Sequence, residues 1–283
     1  MDSNTILKKL DRIQSIPTLP AIAIELNTML QDQKTSVKQL KQTIEKDQAI
    51  VPKILKLVNS SFFGLQSKIG NINHAIVLLG FNPIRNAILS ISIIEAFANK
   101  NTLKNFDVAE FWKHSVAVAV LSKYLALQID YRSPEDAFTA GLVHDVGKLV
   151  MLQFFQDLFE TVWTSARKNN LSFYNAEKKE LPITHAQIGA YLAGKWKLPA
   201  ALTDAIRYHH SVRPGVHDFD LLLIVHAANT IANCFMVESK NKLDLCKIHP
   251  AAVSAMNDAL KSASEWFPGQ LLEIQTACQF FIE

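Results

Sequence analysis

The stretch Gly141–Leu149, with the sequence GLVHDVGKL, places a histidine beside an aspartate in an apolar run. Two glycines flank the pair, and glycine lets another helix or a ligand approach closely because it has no Cβ. Successive helical residues point about 100° apart, so His144 and Asp145 can share one site only near a helix end or between helices. Pro134 predicts the start of the surrounding helix, which we expect to run through 140–152 and beyond.

The rest of the chain is also predicted to be helical. Its 283 residues are 49% hydrophobic, enough for one large core or two adjoining ones, and only 9 Gly and 10 Pro interrupt them. No segment alternates like a series of short strands. We predict an all-α fold with a domain boundary in the polar connection at 100–106. It separates an N-terminal helical subdomain (1–100) from a helical core (101–236), and a C-terminal helical extension (237–283) follows.

Local signals mark individual helices. Ser36, followed three residues later by Gln39, resembles a capping box that starts a helix. Gly80 ends a short apolar helix that begins near Asn73. Further helices are predicted over 111–129, 155–168, 184–194, 199–209, 218–236, 250–263 and 269–282.

Composition argues against several classes of protein. The formal net charge of +3 gives no global field for nucleic acid, so we predict no nucleic-acid partner. The apolar stretches Ala75–Phe81 and Ile91–Phe97 are shorter than the roughly eighteen residues of a membrane span, and no secretory signal is recognisable. Cys234, Cys246 and Cys278 are odd in number and lack CxxC spacing. These features predict a reduced, cytoplasmic protein without a membrane partner.

Six polar residues stand out within strongly apolar helical sequence. They are His114, His144, Asp145, His185, His209 and His210. A buried imidazole or carboxylate costs several kcal/mol unless it is paired or bound to a cation. Divalent transition metals accept imidazole nitrogen together with carboxylate oxygen. We therefore predict that the six residues converge on one or two divalent ions, and the alternative of a hydrogen-bonded core network stays open.

Motifs along the chain carry a family resemblance. The segments Phe111–Ala119 and Gly141–Leu149 look like the HD superfamily of metal-dependent phosphohydrolases. The segments His185–Gly189, Trp196–Pro199 and Ile206–His210 resemble its HDOD branch specifically. Upstream matches to that branch are Leu19-Pro20, Asp47, Leu57–Ser60 and Leu79–Phe81. The resemblance covers roughly residues 15–235.

The resemblance implies an all-α fold in which an N-terminal helical subdomain packs on an HD-like multi-helix core. In catalytic relatives such as the HD-GYP cyclic-di-GMP phosphodiesterases, the metal ligands correspond to His114, His144, Asp145, His185, His209 and His210. If the chain is a phosphohydrolase, we expect Asp145 and Lys148 to be catalytic residues. Lys148 follows His144 by one turn, a position suited to meet an anion and orient a phosphate. We expect the bound ion to be Fe, Mn, Zn, Ni or Mg.

The chain departs from the catalytic pattern at two places. The segment after His210 reads SVRPG and lacks the GYP signature. The helix that should supply a last aspartate carries Asn229, which offers only a neutral carbonyl oxygen. His226, one turn earlier, is a residue that could compensate. The loss of a carboxylate predicts a mononuclear or an empty site.

Two functions follow from these observations. The resemblance implies a regulatory output module of bacterial signalling, with a catalytically weak or inactive site and a protein partner or nucleotide second messenger. The alternative is a metal-dependent phosphohydrolase, a phosphodiesterase acting on a nucleotide or cyclic dinucleotide. Four arginines remain ambiguous, because each is either a scattered surface residue or a contact for a phosphate-bearing ligand: Arg85, Arg132, Arg207 and Arg213.

Overall fold

A computed structural model describes residues 2–13, 16–31, 36–59, 67–97, 106–240 and 242–282, without the side chains of residues 30, 31 and 37. These ranges contain helices and connecting segments but no β-strand, so the predicted all-α fold is confirmed. Ser60 and all but the last residue of the predicted boundary at 100–106 lie outside the described residues. The exact division into domains therefore stays a prediction.

The described residues of the N-terminal part form six helices. They are α1 (Ser3–Arg12), α2 (Ala21–Gln31), α3 (Val37–Glu45), α4 (Ile50–Val58), α5 (Ile72–Leu79) and α6 (Phe81–Phe97). Of these, α2, α4 and α5 pack against α6. The predicted capping box is present, since Ser36 and Gln39 bond reciprocally at the start of α3. Gly80 ends α5 with a φ of 83°, a conformation that favours glycine, and α6 then departs at 120°.

The central part is a bundle in which α7 packs against α8 and α14, while α12 packs against α9 and α13. Its helices are α7 (Val108–Gln128), α8 (Pro134–Val143), α9 (Val146–Phe154), α10 (Gln156–Asn169), α11 (Phe173–Glu180), α12 (His185–Lys195), α13 (Ala200–Tyr208) and α14 (Phe219–Ala232). A π-helical turn, Asn233–Val237, continues α14. Helix α11 was not predicted from the sequence.

The C-terminal part packs back onto α7 through its last helix. It contains a 3-10 turn at Leu245–Lys247, α15 (Pro250–Ala255), α16 (Asn257–Lys261) and α17 (Ala263–Phe281). The single helix predicted over 250–263 is wrong, because the chain leaves helical geometry at Met256. The last helix begins six residues earlier than predicted and holds Pro268 in its second turn.

The continuous helix predicted from Pro134 beyond Leu152 is also wrong at its centre. Helix α8 ends at Val143 and α9 begins at Val146, so His144 and Asp145 form the junction. The His144 Nδ1–H donates to the Gly141 carbonyl at 2.7 Å, one turn earlier. Because the imidazole takes up that carbonyl, the side chain competes with the next helical hydrogen bond. The break allows both polar side chains to face one site.

The N-terminal helices contact the two core helices that lead into this site. Helix α6 packs on α8, where Arg85 forms an ion pair with Asp136. Near α12, Lys195 Nζ lies 2.5 Å from Asp11, and Trp196 Nε1–H donates to the Pro17 carbonyl at 2.9 Å. The expected packing of an N-terminal helical subdomain on a helical core is confirmed.

One continuous helix in the described part of the chain, Phe219–Val237, is long and apolar enough to cross a membrane. Within the fold, 61% of its most apolar window is buried, and it packs against α7 and α8. A bent pair, α5 with α6, passes the same test only if both helices are counted as one span. Burial in the core accounts for the composition of Phe219–Val237.

Candidate metal centre

Side chains from distant parts of the chain meet between α7, α9, α12 and α13. We call this set the histidine–aspartate cluster, and it consists of His114, His144, Asp145, His185, His209 and His210. Successive imidazole centroids within it lie 4.1–5.5 Å apart. The structure therefore brings together all six residues that the sequence nominates as ligands. Their role in binding metal stays a prediction.

Helix boundaries position five of the six residues, whereas His114 lies within α7. His185 is the first residue of α12, which Thr184 and Gln187 start with a capping box. His209 and His210 follow the last residue of α13. Such positions at helix ends release side chains from the regular helical spacing, so they can point at one centre.

Asp145 divides the cluster into two groups that share its carboxylate. Its Oδ1 lies 3.0 Å from His185 Nε2 and 3.5 Å from His209 Nε2, and His210 completes this four-ligand group. Its Oδ2 lies 3.4 Å from His144 Nε2 and 4.0 Å from His114 Nε2, which forms the three-ligand group. Within each group the ligand atoms lie within 4.8 Å of one another.

Hydrogen bonds at the far side of three rings fix which nitrogen faces the centre. The Nδ1 atoms of His144, His185 and His209 lie 2.6–2.8 Å from acceptors, which are the Gly141 carbonyl, the Glu177 carboxylate and the Ile206 carbonyl. Each Nδ1 therefore carries a hydrogen. In the neutral ring the Nε2 lone pair then points inward, toward Asp145.

This arrangement fits a bound cation better than a closed hydrogen-bond network. His144 Nε2 and His210 Nε2 are buried without a hydrogen-bond partner. Asp145 Oδ1 lies 3.0 Å from His185 Nε2 and gains a hydrogen bond there only when that nitrogen carries a proton. Lone pairs of imidazoles and a carboxylate that face each other repel unless a proton or a metal ion lies between them. Imidazole nitrogen with a carboxylate oxygen is a ligand set for a divalent transition metal.

The protonation states also suit a ligand set. Burial disfavours a charged Asp145, yet His144 and Lys148 hold the pKa of its carboxyl well below its usual range. Burial lowers the pKa of His209 to about 3, and burial together with His144 lowers the pKa of His114 to about 3. Burial also lowers the pKa of His210 well below its usual value. These three imidazoles are neutral at pH 7, as metal ligands must be.

Glu177 is a functional residue that the sequence interpretation missed. It is fully buried on α11, where it accepts hydrogen bonds from both the backbone N–H and Nδ1 of His185, at 2.7 and 2.6 Å. Burial alone would disfavour an imidazolium at His185, but Glu177 and Asp145 raise the pKa of that ring. A carboxylate behind a ligating histidine orients the ring and increases its basicity. A proton and a metal ion are thus alternative occupants of His185 Nε2.

Lys148 lies one turn into α9 with its Nζ 2.5 Å from Asp145 Oδ2. The same ammonium lies 5.4 Å from the centroid of the Phe173 ring. In this structure Lys148 therefore neutralises the shared carboxylate, and the predicted contact with a phosphate stays a prediction. Because Lys148 lies next to Asp145, the positive charge of Lys148 is at the edge of the cluster.

Asn229 stands next to His114, where catalytic relatives are expected to have an aspartate. Asn233 Nδ2 donates to Asn229 Oδ1 at 2.8 Å, which fixes the orientation of the amide. His114 Nε2 lies 3.1 Å from that same oxygen, so the imidazole donates to it. The suggestion that His226 compensates is wrong, because its Nδ1–H donates to the His209 carbonyl and its Nε2 accepts from the His249 N–H.

Gly147 confirms the close approach that its position predicts. A Cβ built there would lie 1.9 Å from the His185 carbonyl oxygen and 2.7 Å from the Gly189 nitrogen. The missing side chain therefore lets α9 meet the start of α12. This contact brings Asp145 and His185 together.

The sequence matches a known family over this whole region. The family model described as HDOD domain covers residues 16–212, well over half of the chain. This chain belongs to the HDOD family. The match of the HDOD model spans helices α2 to α6 and the residues of the cluster.

Similar proteins agree with the fold of this HDOD chain. An HDOD domain protein of unknown function from Geobacter sulfurreducens has a TM-score of 0.79 at 22% identity, with 99% of both chains covered. A candidate phosphohydrolase from Shewanella amazonensis SB2B has a TM-score of 0.75 at 22% identity, with 97% of both chains covered. At such identities the likeness establishes the fold alone.

A curated relative extends beyond the HDOD chain. An uncharacterized protein of Treponema pallidum is 24% identical over 214 residues, which are 75% of this chain and 41% of that protein. The HDOD chain spans less than half the length of this and of YuxH from Bacillus subtilis, another curated relative.

Proposed function

We propose that this chain is a regulatory module of bacterial signalling that binds one divalent metal ion and hydrolyses phosphodiesters weakly or not at all. The observation that carries the proposal is the contact of Asn229 with His114, which occupies a nitrogen that a second ion would need. The free cysteines are consistent with a reduced cytoplasmic location. Neither a membrane nor a nucleic acid is proposed as a partner.

The four-ligand group would hold the ion. It offers three imidazole nitrogens and one carboxylate oxygen, a set that suits Fe, Mn, Zn or Ni better than Mg, which prefers oxygen ligands. When bound, such an ion supplies Lewis acidity toward a phosphate and a lowered pKa for coordinated water. The chain itself keeps His209 and His210 neutral, holds His185 through Glu177 and balances Asp145 with Lys148.

Contacts between the N-terminal helices and α12 support a regulatory role. Helix α12 begins with His185 in the cluster and ends at Lys195, which pairs with Asp11 of α1. A change at His185 therefore acts on the same rigid helix that α1 contacts. We propose that a metal ion bound in the four-ligand group changes how the N-terminal helices contact a signalling protein or second messenger.

A phosphohydrolase is the second candidate function. It is favoured by the three-ligand group, which places His114 and His144 beside the Asp145 oxygen that the four-ligand group does not use. Two ions a few ångströms apart are one arrangement that enzymes use for phosphodiester cleavage. A nucleotide or cyclic dinucleotide would be the substrate.

One experiment separates the two candidates. Protein loaded with manganese or iron is incubated with bis(p-nitrophenyl) phosphate and with cyclic di-GMP, beside the Asp145→Asn variant. The regulatory proposal expects at most a few turnovers per wild-type chain, together with a metal-dependent change in amide hydrogen exchange in α12 and α1. Sustained turnover of many substrate molecules per chain that disappears in Asp145→Asn would establish the enzyme instead, and metal loading without any change in exchange would refute the regulatory role.

A further inference from the structure

Beside the histidine–aspartate cluster, a groove of about 440 Å³ runs between α11 and α13. None of the six cluster residues lines it. Its walls include Tyr174 and Lys178 from α11, with Arg207 and Tyr208 from α13 and Arg213 from the segment that follows. Its size is that of a small-molecule site.

All the charged residues that line the groove are positively charged. Three of its lining residues are cationic and none is acidic. The acids of the two bordering helices are engaged elsewhere. Glu177 bonds to His185, Glu180 to Ser165, and Asp204 to His217. The positive charge of the groove is therefore left without a local carboxylate.

The four arginines that the sequence left ambiguous now separate into two kinds. Arg85 pairs with Asp136, and Arg132 lies 2.7 Å from Asp218. Within the described ranges, Arg207 and Arg213 have no carboxylate within 4.0 Å, although both guanidinium carbons lie within 6.0 Å of the Tyr208 ring centroid. Two exposed guanidiniums at one ring are suited to a shared anion, because each presents a planar set of donors.

Aromatic surface connects the groove with the cluster. The Tyr174 ring stacks on His210, with centroids 4.4 Å apart and planes inclined by 23°. Tyr174 thus lines the groove and also contacts a cluster histidine. A planar ring with nearby cations is a combination that accepts both a base and a phosphate.

We propose that this groove binds a nucleoside monophosphate, with the phosphate at Arg207 and Arg213 and the base against the tyrosines. The inference deepens the proposed function, since it names a ligand class for the regulatory module. The site uses none of the cluster's ligands, so the nucleotide binds without a metal ion.

Isothermal titration of the full chain, as purified and after chelator treatment, tests the proposal. GMP and AMP are the probes, with guanosine and inorganic phosphate as partial ligands. We expect a nucleotide Kd below about 1 mM in both preparations, and about tenfold weaker binding of guanosine. Arg207→Glu and Arg213→Glu are each expected to weaken nucleotide binding about tenfold or more. Arg167→Glu, which reverses an exposed arginine on α10, is the matched control and should bind like the wild type.

Two results would overturn the inference. One is the absence of binding by both nucleotides, and the other is equal affinity in the Arg207→Glu, Arg213→Glu and Arg167→Glu variants. Circular dichroism of each variant verifies that the fold is retained. A chain that binds nucleotide but contains no metal by elemental analysis would contradict the metal proposal alone, so the two failures are distinguishable.

Discussion

The Nε2 of His114 lies 3.1 Å from the Oδ1 of Asn229. Asn233 donates to the same oxygen and fixes the amide, so the imidazole must act as the donor. A nitrogen that carries a hydrogen cannot ligate a metal. The three-ligand group is thereby reduced to His144 and the shared Asp145, whereas the four-ligand group keeps all its members.

Restoring the carboxylate should restore a second ion. In the Asn229→Asp variant an anionic oxygen replaces the amide oxygen beside His114, so a cation can displace the ring hydrogen and bind both groups. We expect the manganese content after equilibrium dialysis to rise from about one to about two ions per chain. Asn229→Ala frees the His114 nitrogen but supplies no anionic ligand, so it is the control and should stay near one. Equal content in Asn229→Asp and the wild type would show that this position does not limit the second ion.

Glu177→Gln should weaken metal binding while leaving the fold intact. The amide no longer holds His185 in its basic, oriented form, and loss of such a partner costs about 10- to 100-fold in metal affinity. Competition with a chromophoric chelator measures the affinity. Glu180→Gln, three residues further along α11, alters a carboxylate that bonds to Ser165 and should have no effect. Indistinguishable affinities for the two variants would remove Glu177 from the site.

Gly147→Ala should destabilise the protein because its Cβ would meet the His185 carbonyl at 1.9 Å. We expect the free energy of unfolding, measured by urea denaturation, to fall by about 3 kcal/mol. Gly194→Ala on α12 is the control, since no atom lies within 4 Å of the added Cβ. That substitution should be neutral or stabilising by about 0.5–1 kcal/mol. A stable Gly147→Ala protein would mean that α9 and α12 are farther apart than described.

Asp136→Asn should loosen the contact between α6 and α8. Arg85 is buried against this carboxylate, so its guanidinium would lose the compensating charge. Breaking a buried pair costs about 3 kcal/mol or more in unfolding free energy. The double variant Arg85→Met/Asp136→Leu should lose less than Asp136→Asn, because it leaves no buried charge. Additive losses in a double-mutant cycle would argue against a coupled pair.

The sequence predicts the members of the cluster because polar residues in apolar helices must find a compensating partner. It also predicts the capping box at Ser36 and the helix end at Gly80, since both signals are local. It does not predict the break at His144, because apolar residues recur at helical spacing through 137–152 and no proline interrupts them. The competing bond from His144 to Gly141 appears only in three dimensions.

The role of Glu177 could not be predicted from the sequence either. It lies in the polar run FYNAEKKE, where neighbouring charges indicate a solvated helix end and the apolar periodicity of a buried helix is missing. Its burial depends on His185, eight residues later, and on the path of the connecting segment. The hydrogen bonds of His226 could not be predicted for a similar reason, since its partners are backbone groups of His209 and His249.

The proposed function requires that the four-ligand group hold a metal ion, and elemental analysis of the full chain measures whether it does. Protein is purified without chelator, dialysed against Mn, Fe, Zn or Ni, and compared with the Asp145→Asn variant. We predict about one ion per wild-type chain and less than about a tenth of an ion in the variant. A wild-type chain that stays metal-free with all four ions, or an Asp145→Asn chain that retains the full amount, would contradict the account.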